Sequence, residues 1–244
     1  MKNKSKIIRY MTYILVLVCL VIGLAGCGSE KKADAEEKTQ EKEIIITEEI
    51  QHDMNFFLSK FLEFRMYEYN NDTQDYDLLS FAHTFIEYNY FKRVDYIEDG
   101  DNFYTSISLE DVNTALKYFF GKEVHPEENK KIRPKDAEED YIYCIYKDGN
   151  ILFPSATGDE SAVAAVVNKV VETKENRFKV QFDVYGVDNI EEIDYYNWSQ
   201  VYDFNAKEVE ENLGLSKRNT GSAVVEKVKD DEGEHYRLVK LQVK

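Results

Sequence analysis

Three cysteines, four histidines and eleven glycines among 244 residues leave several chemistries without their raw material. There is no CxxC, no HxxxH and no HExxH, so a zinc site finds no ligand spacing to build on. No GxSxG elbow marks a nucleophilic serine. No glycine-rich run precedes a helix, which removes a phosphate loop; Thr157-Gly158-Asp159 reads only as a turn. Asp99, Asp101 and Glu110 fit the first, third and twelfth positions of an EF-hand loop. Phe103 and Tyr104, however, fill the fifth and sixth, where a ligand and the turn glycine belong. Positive charge is also scarce: 31 Lys and Arg stand against 47 Asp and Glu, a formal net charge of -16. So acidic a chain lacks the basic surface that nucleic acid requires. The expectation is therefore no nucleic-acid partner, no cofactor, no metal and no catalytic residue.

Only one long apolar run is present, and it lies at the start. Lys2, Lys4, Lys6 and Arg9 precede residues 10–23, which include Ile14, Leu15, Val16, Leu17, Val18, Leu20, Val21 and Ile22. A basic start, an apolar middle and small residues after it are the layout of a secretory signal. At about 15 residues the run is shorter than the roughly 20 that a permanent membrane helix needs.

The segment ends Leu24-Ala25-Gly26-Cys27, which resembles a lipobox of bacterial lipoproteins. The resemblance implies a signal over residues 1–26, cleavage before Cys27, and a diacylglyceryl (palmitate-type) anchor on that thiol. Such a protein partners the membrane through its lipid and faces the extracytoplasmic side of the cell membrane. Two acyl chains anchor stably, whereas one holds only marginally. Losing the signal removes four basic residues and no acidic one, leaving 27 against 47, or -20. Cys19 would leave with the signal and Cys27 would carry lipid. Cys144 would then stand alone, read as a small buried hydrophobe with no disulfide partner. Residues 28–43 are polar and lack aromatics, so they cannot bury enough surface to fold. Residues 27–47 thus read as lipidated cysteine and tether, spanning roughly 25 Å on average.

Residues 48–244 are enough for one domain with a substantial core. Over 48–121 the apolar residues recur at helical spacing. Met54, Phe57, Phe61 and Phe64 make one stripe; Leu78, Leu79, Ala82, Phe85 and Ile86 make a second, with Thr73 or Asp75 as its cap. Ser108 and Asp111 form a capping-box pattern ahead of Leu109, Val112, Leu116 and Phe119, and Gly121 stops the helix. A short extended piece over 102–107 precedes it. From about residue 140 the pattern turns to β. Asp148-Gly149 between apolar runs signals a hairpin. Phe178, Val180, Phe182 and Val184 alternate with polar residues, and 222–229 and 235–243 form a last hairpin. The valines within 161–172 fit a helical stripe as well as a strand; we assign a strand from their β-branching and the short turn that follows.

This order predicts an α+β fold, with N-terminal helices packed on a curved, mainly antiparallel meandering sheet. In element order it resembles the NTF2-like and cystatin-like folds. In composition it is similar to the lipoproteins of low-GC Gram-positive bacteria.

What the chain does have in excess is aromatic side chains, 18 Tyr and 14 Phe with one Trp. Tyr195, Tyr196 and Trp198 lie in irregular polar context, where such residues grip partners and sugars, and form the candidate recognition patch. The leading expectation is a non-catalytic binding module for an envelope protein, a glycan or a small molecule. One alternative is an NTF2-like pocket enzyme using His/Asp acid–base chemistry. Another is a transporter-associated solute-binding lipoprotein.

Overall fold

The computed structural model describes residues 41–99, 102–135, 142–155, 162–187, 198–231 and 233–244. All of them belong to one compact unit, Thr39–Lys244. Cys27 and the signal, like Tyr195 and Tyr196, lie outside the described residues.

Three helices form where the periodicity places them. Helix α1 (Glu48–Glu63) starts at Thr47, whose hydroxyl accepts the Ile50 N–H at 3.3 Å. Helix α2 (Asp75–Asn89) begins after Gln74 with no side-chain cap; Thr73 instead accepts the Asn70 N–H in the preceding turn. Helix α3 (Leu109–Phe120) is capped by Ser108, which accepts the Asp111 N–H at 3.1 Å. Gly121 ends it with φ 65°, the left-handed conformation that favours glycine there. A fourth helix, α4 (Ala206–Leu213), carries a full capping box between Asn205 and Glu208.

The strands make two antiparallel sheets, and the fold is α+β as expected. One sheet has the order β1-β8-β9-β10-β11-β2; the other has the order β3-β4-β7-β6-β5. In the first, β8 (Val163–Lys174), β9 (Arg177–Gly186), β10 (Ser216–Asp230) and β11 (Gly233–Val243) form a meander. Short edge strands β1 (Lys42–Ile44) and β2 (Glu68–Tyr69) close its sides. The valine-rich segment is thus a strand, and β1 takes up the last part of the expected tether. The second sheet contains β3 (Asp95–Asp99), β4 (Asn102–Ser108), β5 (Lys131–Ile132), β6 (Cys144–Lys147) and β7 (Asn150–Pro154). Asp148 and Gly149 both have positive φ, 51° and 83°, as a two-residue hairpin turn demands.

The principal core lies between these sheets and α1, α2 and α3. At its centre Phe61 and Phe81, stacked on each other, each pack edge to face on Phe119 and Phe120, with ring centroids 5.1–5.7 Å apart. A smaller cluster covers the other face of β8 and β9, where Ala164, Val166 and Tyr185 meet Val201, Val209 and Leu215. This second layer explains why β9, read as half-buried, is buried on both faces over its last residues.

One feature of α1 has no counterpart in its apolar stripe. Beyond the reach of β1, which pairs only with Val170–Glu172 of β8, the edge of β8 would expose bare backbone. A row of polar residues at i, i+4 and i+8 covers it instead. Ser59 Oγ accepts the Ala165 N–H, Asn55 Oδ1 accepts the Val167 N–H, and Gln51 Nε2 donates to the Val167 carbonyl. Asn55 Nδ2 also donates to the Tyr202 and Phe204 carbonyls, at 3.1 Å each. The helix thereby serves as the missing neighbour of the strand.

Candidate functional site

Alongside α1 runs a groove of about 1210 Å³. Its near wall is the α1 face bearing Glu49, His52, Asp53, Phe56, Phe57 and Lys60. Its far wall comes from the α2 C-terminus, with Phe85, Asn89, Tyr90 and Arg93, and from α3, with Asp111, Ala115, Tyr118 and Phe119. The β10–β11 hairpin closes the end with Lys227, Asp230, Asp231, Glu234, His235, Tyr236 and Arg237. A smaller hollow of about 310 Å³ lies over β8, β9 and β10; its Asp183 is already ion-paired with Lys217 at 2.8 Å.

The groove exists because the long hairpin is fixed to the end of α3. Arg237 donates through Nε to the Lys117 carbonyl at 3.1 Å, a second bond on an oxygen that already accepts the Gly121 N–H at 2.9 Å. Its guanidinium also pairs with Asp230 at 2.5 Å. At the opposite end Arg93 pairs with Asp111 at 2.6 Å and lies over the Tyr90 ring. Between these ends the floor is aromatic: Phe57 lies 5.9 Å from Tyr236 and 6.1 Å from Phe119, ring to ring. Phe56 and Tyr90 are about half exposed, at 46% and 48%.

Every cation bordering the groove has an acidic partner. Besides the two arginines, Lys60 pairs with Glu63, Lys117 with Glu123 and Lys227 with Glu234. The Lys227 contact holds the Glu234 carboxyl below its usual range and lifts the lysine, in both cases chiefly through their hydrogen bond. Among the described residues, Glu49, Asp53 and Asp231 have no cation within ion-pairing distance. Burial raises the Tyr236 phenol above its ordinary value, with Asp53, Glu234 and Glu49 adding to the rise against the pull of Lys227.

His235 sits under Tyr118, the rings 4.3 Å apart and 8° from parallel. It is only 8% exposed, and neither ring nitrogen has a hydrogen-bond partner. Asp230 approaches Nδ1 at 3.7 Å, beyond hydrogen-bond distance. The other histidines serve differently. His83 is buried in α2 and bonded to Thr105 at 2.8 Å, and burial lowers its pKa to about 4. His52 pairs with Asp203 at 2.6 Å on the groove rim, and His125 is exposed beside Glu123. Cys144 is buried and its thiol is pushed up to about 12 by that burial, so it supplies no thiolate at neutral pH.

Of the expected recognition patch, only Trp198 is among the described residues. It is partly buried and packs against the smaller cluster. The groove residues were missed because they come from four separate segments. The acidic hairpin tip reads in sequence as a solvated turn, and Phe57 and Phe119 as core. No family model, curated protein or solved structure matches the chain.

Proposed function

We propose that the chain is a lipid-anchored, extracytoplasmic binding module, held to the membrane at Cys27 and binding its ligand in the groove beside α1. The anchor rests on the Leu24-Ala25-Gly26-Cys27 motif and the basic and apolar segment before it. The binding role rests on one observation: an open groove of about 1210 Å³ with an aromatic floor, exposed rings and unpaired polar groups. Apolar concavity with a few convergent polar groups is the usual form of a ligand site. The test is photo-crosslinking in intact cells, with benzoylphenylalanine placed at Phe56 or at Tyr96. Tyr96 is 73% exposed on β3 and borders no part of the groove. Adducts at position 56 and none at 96 support this reading; adducts only at 96, or at neither, remove it.

An acid–base enzyme is the second reading. It is favoured by two histidine–carboxylate neighbours at the groove, His235 with Asp230 and His52 with Asp203. It requires a captured ligand to be converted, and His235→Asn to stop conversion without stopping capture.

A further inference from the structure

Which ligand the groove takes is legible in its unbalanced charge. Its arginines and lysines are already neutralised by neighbouring carboxylates, so an anion would have to break one of five existing pairs. Glu49 and Asp53 stand one helical turn apart on α1 and make no ion pair, although Lys227 acts on Asp53 from a longer distance; Asp231 stands on the hairpin that closes the groove. An i, i+4 pair on a helix separates its side chains by about 6 Å, close to the spacing of two amines on a four-carbon chain. Phe56 and Tyr236 offer apolar surface for methylenes and ring faces for a cation. Acidic residues alone would be only a solvated surface. His235 makes the difference: of the described side chains with buried polar atoms lacking a partner, His235 and Arg177, only His235 borders the groove. A neutral imidazole can accept a hydrogen bond from an ammonium group, and leaving a buried nitrogen unbonded is unfavourable by about 1–3 kcal/mol.

From this we infer that the groove binds a linear alkyl polyamine, its ammonium groups on Glu49, Asp53 and Asp231 and one N–H directed to His235. The inference rests on the groove being the binding site.

The test is titration of the full-length chain, purified in detergent, with spermidine as the probe. Calorimetry supplies affinity, and the histidine ring resonances report position. Saturable binding is expected, with the His235 signals shifting and those of the exposed His125 staying in place. Glu49→Gln/Asp53→Asn, both at exposed positions, should weaken binding at least tenfold. Glu127→Gln/Glu128→Gln, outside the groove, should leave affinity unchanged. His235→Phe keeps the ring stack and removes the nitrogens, and should weaken binding about fivefold, the loss of one hydrogen bond. Equal loss in both double variants would overturn the inference, because spermidine would then be following only the net charge. N-acetylglucosamine and glutarate separate the two levels of the claim. If one of them moves the His235 signals and spermidine does not, the groove is a binding site and the polyamine class is wrong. If none of the three moves them, both the inference and the groove reading fall.

Discussion

Replacing Asn55 by alanine should be among the most damaging single changes in the domain, although Asn55 touches no part of the candidate site. Its side chain is fully buried and makes four hydrogen bonds. Alanine would leave the Val167 N–H and the Tyr202 and Phe204 carbonyls without partners, and Gln51 with one bond fewer. A buried backbone group left unsatisfied loses about 1–3 kcal/mol. The Phe204 bond is only partly buried, so water can recover some of that loss. The expected loss is therefore about 3–5 kcal/mol, a large share of the roughly 5–15 kcal/mol that holds a domain together. With a urea dependence of about 2 kcal/mol per molar, the unfolding midpoint should fall by about 2 M. Ser59→Ala removes one bond of the same row and should shift it by about 0.5 M. Asn55→Asp can still accept from Val167 but sets a buried carboxylate against two carbonyl oxygens, so it should be at least as harmful as alanine. The assay is equilibrium urea unfolding followed by tryptophan fluorescence and circular dichroism. A midpoint for Asn55→Ala within about 0.5 M of the parent would refute the idea that α1 acts as the missing strand partner.

Three further outcomes follow from other parts of the molecule. Burial holds His83 neutral, with its pKa lowered to about 4 from 6.5, so between those values the unfolded chain takes up a proton that the native chain refuses. Stability should consequently drop as pH falls through that window, by about 3 kcal/mol in all, and His83→Gln should flatten the pH dependence of the urea midpoint. A Cβ at Gly221 would overlap the Phe182 ring, its cross-strand neighbour; Gly221→Ala should destabilise by about 2 kcal/mol, and adding Phe182→Leu should recover part of it. Cys27→Ser should abolish incorporation of labelled palmitate and leave the chain at its uncleaved mass; unchanged labelling would show that another residue carries the lipid.

Local signals explain why so much of the fold could be read in advance. Ser108, Asp111 and Gly121 fix both ends of α3 through short-range bonds, and Asp148-Gly149 fixes the β6–β7 turn by its backbone preference alone. Asn205, Glu208 and Gly214 carry equally clear marks for α4, which the sequence reading passed over. The second sheet was only partly legible. β5 is two residues long, and β3 is an edge strand with Tyr96 exposed, so neither shows a strong alternation. Gln51, Asn55 and Ser59 look like ordinary polar helix residues until the bare edge of β8 is placed beside them. The same applies to His235: a histidine near an acidic turn gives no sign that both its nitrogens are buried without partners. The groove is built by packing distant segments together, and periodicity within one segment cannot report it.

The central claim is that the groove beside α1 is where this protein holds its ligand. Native mass spectrometry of the full chain, purified gently from the cells that make it, tests it most directly when the parent is compared with Phe56→Ala/Tyr90→Ala, two half-exposed rings of the groove. The parent should carry extra mass that disappears on denaturation, and the variant, equally folded by circular dichroism, should carry none. Bare polypeptide in both, or the same extra mass in both, would contradict the assignment of the groove.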